Sequence, residues 1–539
     1  MKRSLACLLA LAMTLSLAAC GGAADNATAA ASTPAASAPS AGAPMESEVY
    51  YSVTADMALM EAPAEAPGSP MGGEWNTEEY SHIVENGFQA VATAPLSTFA
   101  ADVDTASYAN LRRMLLDGQD PYPDAVRLEE MINYFHYSYP EPKEGEPFSV
   151  STDLVPCPWN DQTTLLRIGL QAAQPDWDAM PPSNLVFLID VSGSMNNPNK
   201  LPLVKQAFLL LTENLRPEDI ISIVTYASSD RVVLDGATGD EAIDIQSAIE
   251  TLTAGGSTAG SKGITTAYEL ARKHFIPGGN NRVILATDGD LNVGVTSEGE
   301  LTRLIEKEKK DGVFLSVLGF GEGNLKDNKL EALADHGNGN YSYIDSVLEA
   351  KRVLVEEMGG TLFTVAKDVK FQVEFNPEKV AAYRLIGYEN RIMAAEDFAD
   401  DTKDGGEVGA GHRVTVLYEL AQPGSELDIP GVDLKYQTAA PTGSDEWLTV
   451  SVRYKEPESD TSQLLEYPVG GARTDELSHD TLLAACVAQF GMLLRGSEYS
   501  GTATYQSIAD TLAALPGVTE DPYQSELLYL VQQMARKHG

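Results

Sequence analysis

The sequence predicts an α/β protein: a doubly wound, mostly parallel, Rossmann-like sheet inserted in a flanking β-sandwich, with small helical segments towards both ends. Three observations predict it. Between about 183 and 358, short apolar runs alternate with amphipathic stretches, the βαβ pattern of a parallel sheet covered by helices on both faces. On either side of that region the pattern becomes an alternation of apolar and polar residues, the mark of half-buried strands. Helical spacing then takes over towards each end of the folded part.

Lys2 and Arg3, followed by Leu5 to Leu17 without a charge, read as a secretion signal over 1–19; the apolar run falls short of the ~20 residues that a membrane span needs. Leu17-Ala18-Ala19-Cys20 resembles the bacterial lipobox. That resemblance implies a lipidated Cys20 and a chain anchored in the cell membrane or outer membrane, facing away from the cytoplasm. Several acyl chains hold where one would not. Residues 20–75 are rich in Ala, Ser, Pro and Gly and contain no Lys or Arg, which predicts a disordered tether spanning on the order of 40 Å.

Residues 76–145 are expected to form a helical segment. Tyr108, Leu111 and Leu115 share one face of a first helix, and Asp124 is placed to cap a second that carries Leu128, Met131, Ile132 and Phe135 at i, i+3, i+4 and i+7. The acidic pair Asp102 and Asp104 is read as helix-capping rather than as a second cation site. The β-sandwich is expected from 146–182 and 359–456 together. Phe148, Val150, Thr152 and Leu154 face one way, as do Leu166, Ile168 and Leu170, and Val369, Phe371, Val373 and Phe375 against Lys370, Gln372 and Glu374. Val414 to Leu420 and Leu448 to Tyr454 repeat the signature. An inserted domain between such flanks should have its two ends close together.

Inside 183–358, strands are read at 185–189, 220–226, 282–287, 313–319 and 341–344. One helix runs from Leu203 to Leu215 with Val204, Phe208, Leu211 and Leu215 inward, and another from Thr302 to Lys310 with Leu301, Leu304 and Ile305 inward. The charged set Glu306 to Lys310 is taken as a solvated face. Residues 457–539 are helical again, with Leu482, Leu483, Cys486, Phe490 and Leu493 on one stripe and a second stretch from Ser525 to Arg536.

Chemistry concentrates at the ends of the predicted parallel strands. The apolar run Leu185 to Ile189 is followed by Asp190-Val191-Ser192-Gly193-Ser194, and Arg282 to Leu285 by Ala286-Thr287-Asp288-Gly289, with Gly255-Gly256-Ser257-Thr258 between them. Ligands of open α/β sheets bind beyond the carboxyl ends of strands. Hydroxyl and carboxylate oxygens without a nearby thiol or imidazole suit Mg²⁺ first, with Mn²⁺ or Ca²⁺ as alternatives. Gly260-Ser261-Lys262 lacks the order of a phosphate loop.

Asp-x-Ser-x-Ser, then Thr, then Asp-Gly resembles the metal-ion-dependent adhesion site of von Willebrand factor A (VWA) domains, and the segments around 102–110 and 127–135 and after 345 resemble those of bacterial VWA lipoproteins. The resemblance implies that Ser192 and Ser194 bind the metal directly, that Thr258 joins them when ligand is bound, and that Asp190 and Asp288 act largely through water. It implies a protein partner that offers a Glu or Asp carboxylate as sixth ligand. By analogy with other VWA domains, it also implies a shift of the last helix, near Leu348 to Met358, on capture.

A net charge of −41 argues against nucleic acid as a partner. The seven histidines are scattered, and neither H-E-x-x-H nor G-x-S-x-G occurs, so no enzyme is expected; Asp290 is the nearest candidate base and a weak one. Outside the signal and Cys20 only Cys157 and Cys486 remain to pair, and buried free thiols are the expected state. The function so read is membrane-anchored capture of an acidic residue through Mg²⁺. The alternative is a structural scaffold or accessory subunit of a cell-envelope complex in which the metal is structural.

Overall fold

The computed structural model describes residues 77–538, other than 102–103, 175–179, 257–261, 290–297, 358–359, 361–362, 428, 430–442 and 458. The chain divides into units 1–71 and 72–539, and the described residues all belong to the second. The signal, Cys20 and the tether lie outside the described residues, as do Asp102, Thr258 and Asp290.

Six strands form the central sheet, in the order Tyr341–Ile344, Phe314–Phe320, Asn280–Thr287, Ser183–Asp190, Ile220–Tyr226, Asp230–Thr238. The first five run parallel and the sixth is an antiparallel edge. All eight residues of Ser183–Asp190 are buried, as befits a strand covered on both faces. Helices Leu201–Thr212 and Ala242–Glu250 contribute to the core on one face through Val204, Phe208, Leu211, Ile245 and Ile249. Gly263–Lys273, Glu298–Lys310 and Asp327–His336 contribute to the core on the other, with Leu301 and Ile305 inward as expected. The first helix ends at Thr212, before Leu215, which is half-buried.

The flanking strands form two further sheets. One has the order Gln89–Ala90, Ala382–Ile386, Arg413–Ala421, Thr163–Ala172, Phe148–Pro156; the other has Gly406–Gly409, Thr364–Phe375, Glu446–Lys455 and Ser462–Gly470, with Leu96–Ala100 also paired to Thr364–Phe375. Both therefore combine strands from before and after the central sheet. Their inner faces share one core, which includes Leu166, Ile168, Leu170, Phe371, Val373, Val416, Val450 and Val452.

Thr163–Ala172 is not half-buried as its alternation implied: all ten residues are buried. A layer of helices covers the outer face of its sheet, where Leu165, Val155, Ile386 and Leu417 join the core of Leu128–Asn133, His479–Arg495 and Pro522–His538. Cys157 and Cys486 both lie in that core, unpaired. Lys370, expected on a solvent side, is also fully buried, with its ammonium on the Asp400 carbonyl at 2.9 Å and beside Asp368 at 3.2 Å.

Three further charge assignments are corrected by tertiary contacts. Asp124 does not cap Leu128–Asn133, whose N-cap is Arg127; its carboxylate accepts from the Ile83 N–H (3.0 Å) and meets His82. Asp104 accepts from the Tyr341 N–H (2.9 Å) and faces Arg391, while Thr105 holds the N-cap position of Ala106–Leu116. Glu308 is no part of a solvated face: it is 1% exposed and bonded to Arg272 and Lys307.

Candidate metal centre

In chain order the central sheet starts at Ser183–Asp190, grows to one side, then returns to add Asn280–Thr287 on the other. The order reverses between these two strands, and such a reversal leaves a crevice beyond their carboxyl ends. Asp190 closes one of them and Asp288 follows the other, so the crevice is flanked by two carboxylates.

Backbone hydrogen bonds tie the neighbouring loops together. Val191 N–H donates to the Tyr226 carbonyl (3.0 Å), Gly255 N–H to the Val191 carbonyl (2.8 Å), and Gly193 N–H to the Gly256 carbonyl (3.0 Å). A side chain at Gly193 would place its Cβ 3.3 Å from that carbonyl oxygen, so the close approach favours glycine. Gly289 has φ +106°, and a Cβ there would meet the Asn324 carbonyl at 2.5 Å.

Within this frame the Ser192 and Ser194 hydroxyls stand 2.9 Å apart. Ser192 N–H donates to Asp190 Oδ1 at 2.8 Å. Asp190 and Asp288 are 0% and 1% exposed, yet Asp190 Oδ2 and Asp288 Oδ1 have no hydrogen-bond partner among the described residues. An unpaired buried carboxylate oxygen is costly. Burial pushes the Asp190 carboxyl up to about 6; the Ser192 N–H opposes the rise and the negative charge of Asp288 adds to it. Ser194 is exposed, so the crevice opens to solvent beside the hydroxyl pair. Two orphaned carboxylate oxygens and two hydroxyls are a donor set that fits a hard divalent cation. Among the described residues no group of three or more His, Cys, Asp or Glu is placed to hold a metal ion.

Family models for von Willebrand factor and for the von Willebrand factor type A domain match residues 74–167 and 184–355. A third, for the C-terminal region of uncharacterized protein YfbK, matches 360–536. Uncharacterized protein YfbK of Escherichia coli (strain K12) is 42% identical over 468 residues, 85% of this chain and 81% of that protein. The chain belongs to the YfbK family.

Beyond the YfbK family, inter-alpha-trypsin inhibitor heavy chain H3 of Homo sapiens is 30% identical over 194 residues, 34% of this chain and 22% of that protein, so the chain spans about a fifth of its length. A solved von Willebrand factor type A protein from Catenulispora acidiphila aligns over 72% of this chain and 95% of its own at 16% identity and a TM-score of 0.38, too slight a likeness to argue from. The VWA match spans Asp190, Ser192, Ser194 and Asp288, and the central sheet is a VWA fold.

The structure brings four of the five expected residues to one crevice; Thr258 lies outside the described residues, although its neighbours Gly255 and Gly256 are bonded to the Asp190 loop. One residue was missed. Lys200, just before helix Leu201–Thr212, is 4% exposed and donates from Nζ to Asp288 Oδ2 at 2.9 Å. A lone lysine ahead of an apolar helical run reads as surface, and only the fold shows where its ammonium goes.

Proposed function

We propose that this YfbK-family protein is a membrane-anchored, extracytoplasmic binding protein that captures a Glu or Asp side chain of a protein partner through a Mg²⁺ site. The observation that carries the reading is the pair of buried, unpartnered carboxylate oxygens on Asp190 and Asp288, beside the Ser192–Ser194 hydroxyl pair and open to solvent at Ser194. Ser192 and Ser194 would hold the ion directly, with Thr258 joining on capture, while Asp190 and Asp288 would act largely through water. Bound Mg²⁺ supplies a Lewis-acidic position for an incoming carboxylate. The chain's own part is to keep that position electron-poor, by offering neutral hydroxyls where carboxylates would quench it.

Calorimetric titration of the full chain with Mg²⁺ tests the site. Saturable one-site binding is expected, and Ser192→Ala should abolish it while circular dichroism stays unchanged. A wild-type chain that takes up no Mg²⁺ or Mn²⁺ would sink the metal reading. Anchoring is tested separately by growth with labelled palmitate. Label is expected on the wild-type chain and absent from Cys20→Ser; equal labelling of both would overturn the anchor at Cys20.

A further inference from the structure

The Lys200 ammonium is built into the crevice by two independent features. Its stem crosses Gly321, which directly follows the strand Phe314–Phe320 and has φ +74°. A Cβ at that position would lie 2.4 Å from Lys200 Cε and 2.5 Å from Cγ, so the absence of a side chain there makes the slot for the lysine. The slot is held in turn by the Tyr343 hydroxyl, which donates to the Gly321 carbonyl at 2.6 Å. At the far end of the stem, Nζ binds one oxygen of Asp288 and leaves the other, Oδ1, unpartnered.

Burying an ammonium is costly unless it is paired. A positive charge on one of the two carboxylates steadies the metal-free crevice but weakens its hold on a divalent cation, since like charges repel strongly at low dielectric. Counting formal charges shows what the lysine does. Asp190 and Asp288 carry two negative charges, which a divalent ion alone would neutralise. With Lys200 present, the loaded centre is left with one excess positive charge, and an external carboxylate brings it to neutrality.

We infer that Lys200 is a positioning residue that sets the ligand requirement of the centre: it loosens the hold on the divalent cation and makes an anionic external ligand part of the stable complex. This rests on the metal reading above and deepens it. Cation and carboxylate then bind with positive coupling, each raising the affinity for the other by the same factor. The isolated site holds metal weakly and the engaged site holds it firmly.

The test is titration of the full chain with Mn²⁺, followed by its paramagnetic resonance, with and without acetate as the carboxylate probe. Wild type is expected to bind Mn²⁺ more tightly when acetate is present. Lys200→Met keeps the stem in its slot and removes the charge. It should bind Mn²⁺ about tenfold more tightly in the absence of acetate, lose most of the acetate effect, and melt at lower temperature than wild type only when metal is withheld. Lys200→Arg should retain the acetate effect. Should Lys200→Met fail to fold without metal, Gly321→Ala, which crowds the stem, is read in the same way and is expected to weaken the acetate effect.

Unchanged or weaker Mn²⁺ binding by a folded Lys200→Met chain, or an acetate effect equal to that of wild type, overturns the inference and leaves the metal site standing. Absence of Mn²⁺ binding in wild type and variant alike removes both.

Discussion

Asp190, Asp288 and Lys200 show how little of a side chain's role lies in its own identity. Each is charged and each is almost wholly buried, which is tolerable only because strand ends and a glycine slot bring them together. The two cysteines illustrate the opposite case. Cys157 and Cys486 are buried and unpaired, and burial pushes both thiols up to about 12. A thiol so placed is protonated at neutral pH and shielded from reagents. Unit 72–539 contains no other cysteine, so within this unit native protein is expected to leave a maleimide untouched over a period in which urea-unfolded protein labels at both sites. Rapid labelling of the native state would contradict the packing described for this core.

At the scale of elements, the segment that ends the VWA region is clamped from several directions. Arg112, on helix Ala106–Leu116, donates to Asp345, to Glu349 (2.8 Å), to the Tyr134 hydroxyl (2.8 Å) and to Glu526 (3.0 Å) of the C-terminal helix. Arg352 binds Glu349, Glu357 and the Thr105 hydroxyl, and its guanidinium lies 4.0 Å from the Tyr134 ring centroid. Any shift of Val347–Lys351 and Arg352–Glu356 of the kind that analogy with other VWA domains implies has to break the bonds that cross to other elements, Arg112 to Glu349 and Arg352 to Thr105, and leaving a buried charge without its partner costs about 3–5 kcal/mol. Arg352→Met is therefore expected to lower stability by about 3 kcal/mol at neutral pH, read from urea unfolding.

The same network predicts an acid dependence. Burial pushes Glu357 up, but the Arg352 guanidinium and His136 outweigh it and hold the carboxyl at about 2, against an ordinary value of 4.5. Glu349 is also held low, since Arg352 and Arg112 overcome its burial. Asp345 goes the other way, because burial there outweighs Arg112, and it softens the effect. A depressed carboxyl contributes stability that is complete above its unfolded value and is lost as protons bind the folded state. Wild-type stability should therefore fall between pH 4.5 and 2, and Arg352→Met should show a shallower fall across that window. Equal slopes would mean that Arg352 does not hold these carboxyls down.

For the molecule as a whole, the sandwich and the helical layer share a core. The strand Thr163–Ala172 is buried on both faces, and helices 128–133, 479–495, 505–514 and 522–538 build the core on the outer side of its sheet. Ending the chain at 474 would bare that face, including Val155, Leu165 and Leu417, and a large exposed apolar patch associates with others of its kind. Such a truncated chain is expected to aggregate or lose cooperative unfolding, as followed by sedimentation and circular dichroism. A monomeric, cooperatively unfolding product would show that the helical layer is dispensable.

The alternating rows Val369 to Phe375 and Leu448 to Tyr454, the apolar runs before Asp190 and Asp288, and the Asp-x-Ser-x-Ser motif were all legible in the sequence. Periodicity and strand-end chemistry are local properties, written within about ten residues, so fold class and most of the crevice follow from them. Tertiary structure alone decided which charges are buried. Glu308, Lys370, Lys200 and Asp104 look like surface or capping residues in any local window, yet each is held by a partner far along the chain. It also decided that Thr163–Ala172 has no solvent face, because its cover comes from segments on both sides in the chain, Tyr139 before it and helix His479–Arg495 some 300 residues later, and no pattern inside the strand records what will be packed against it.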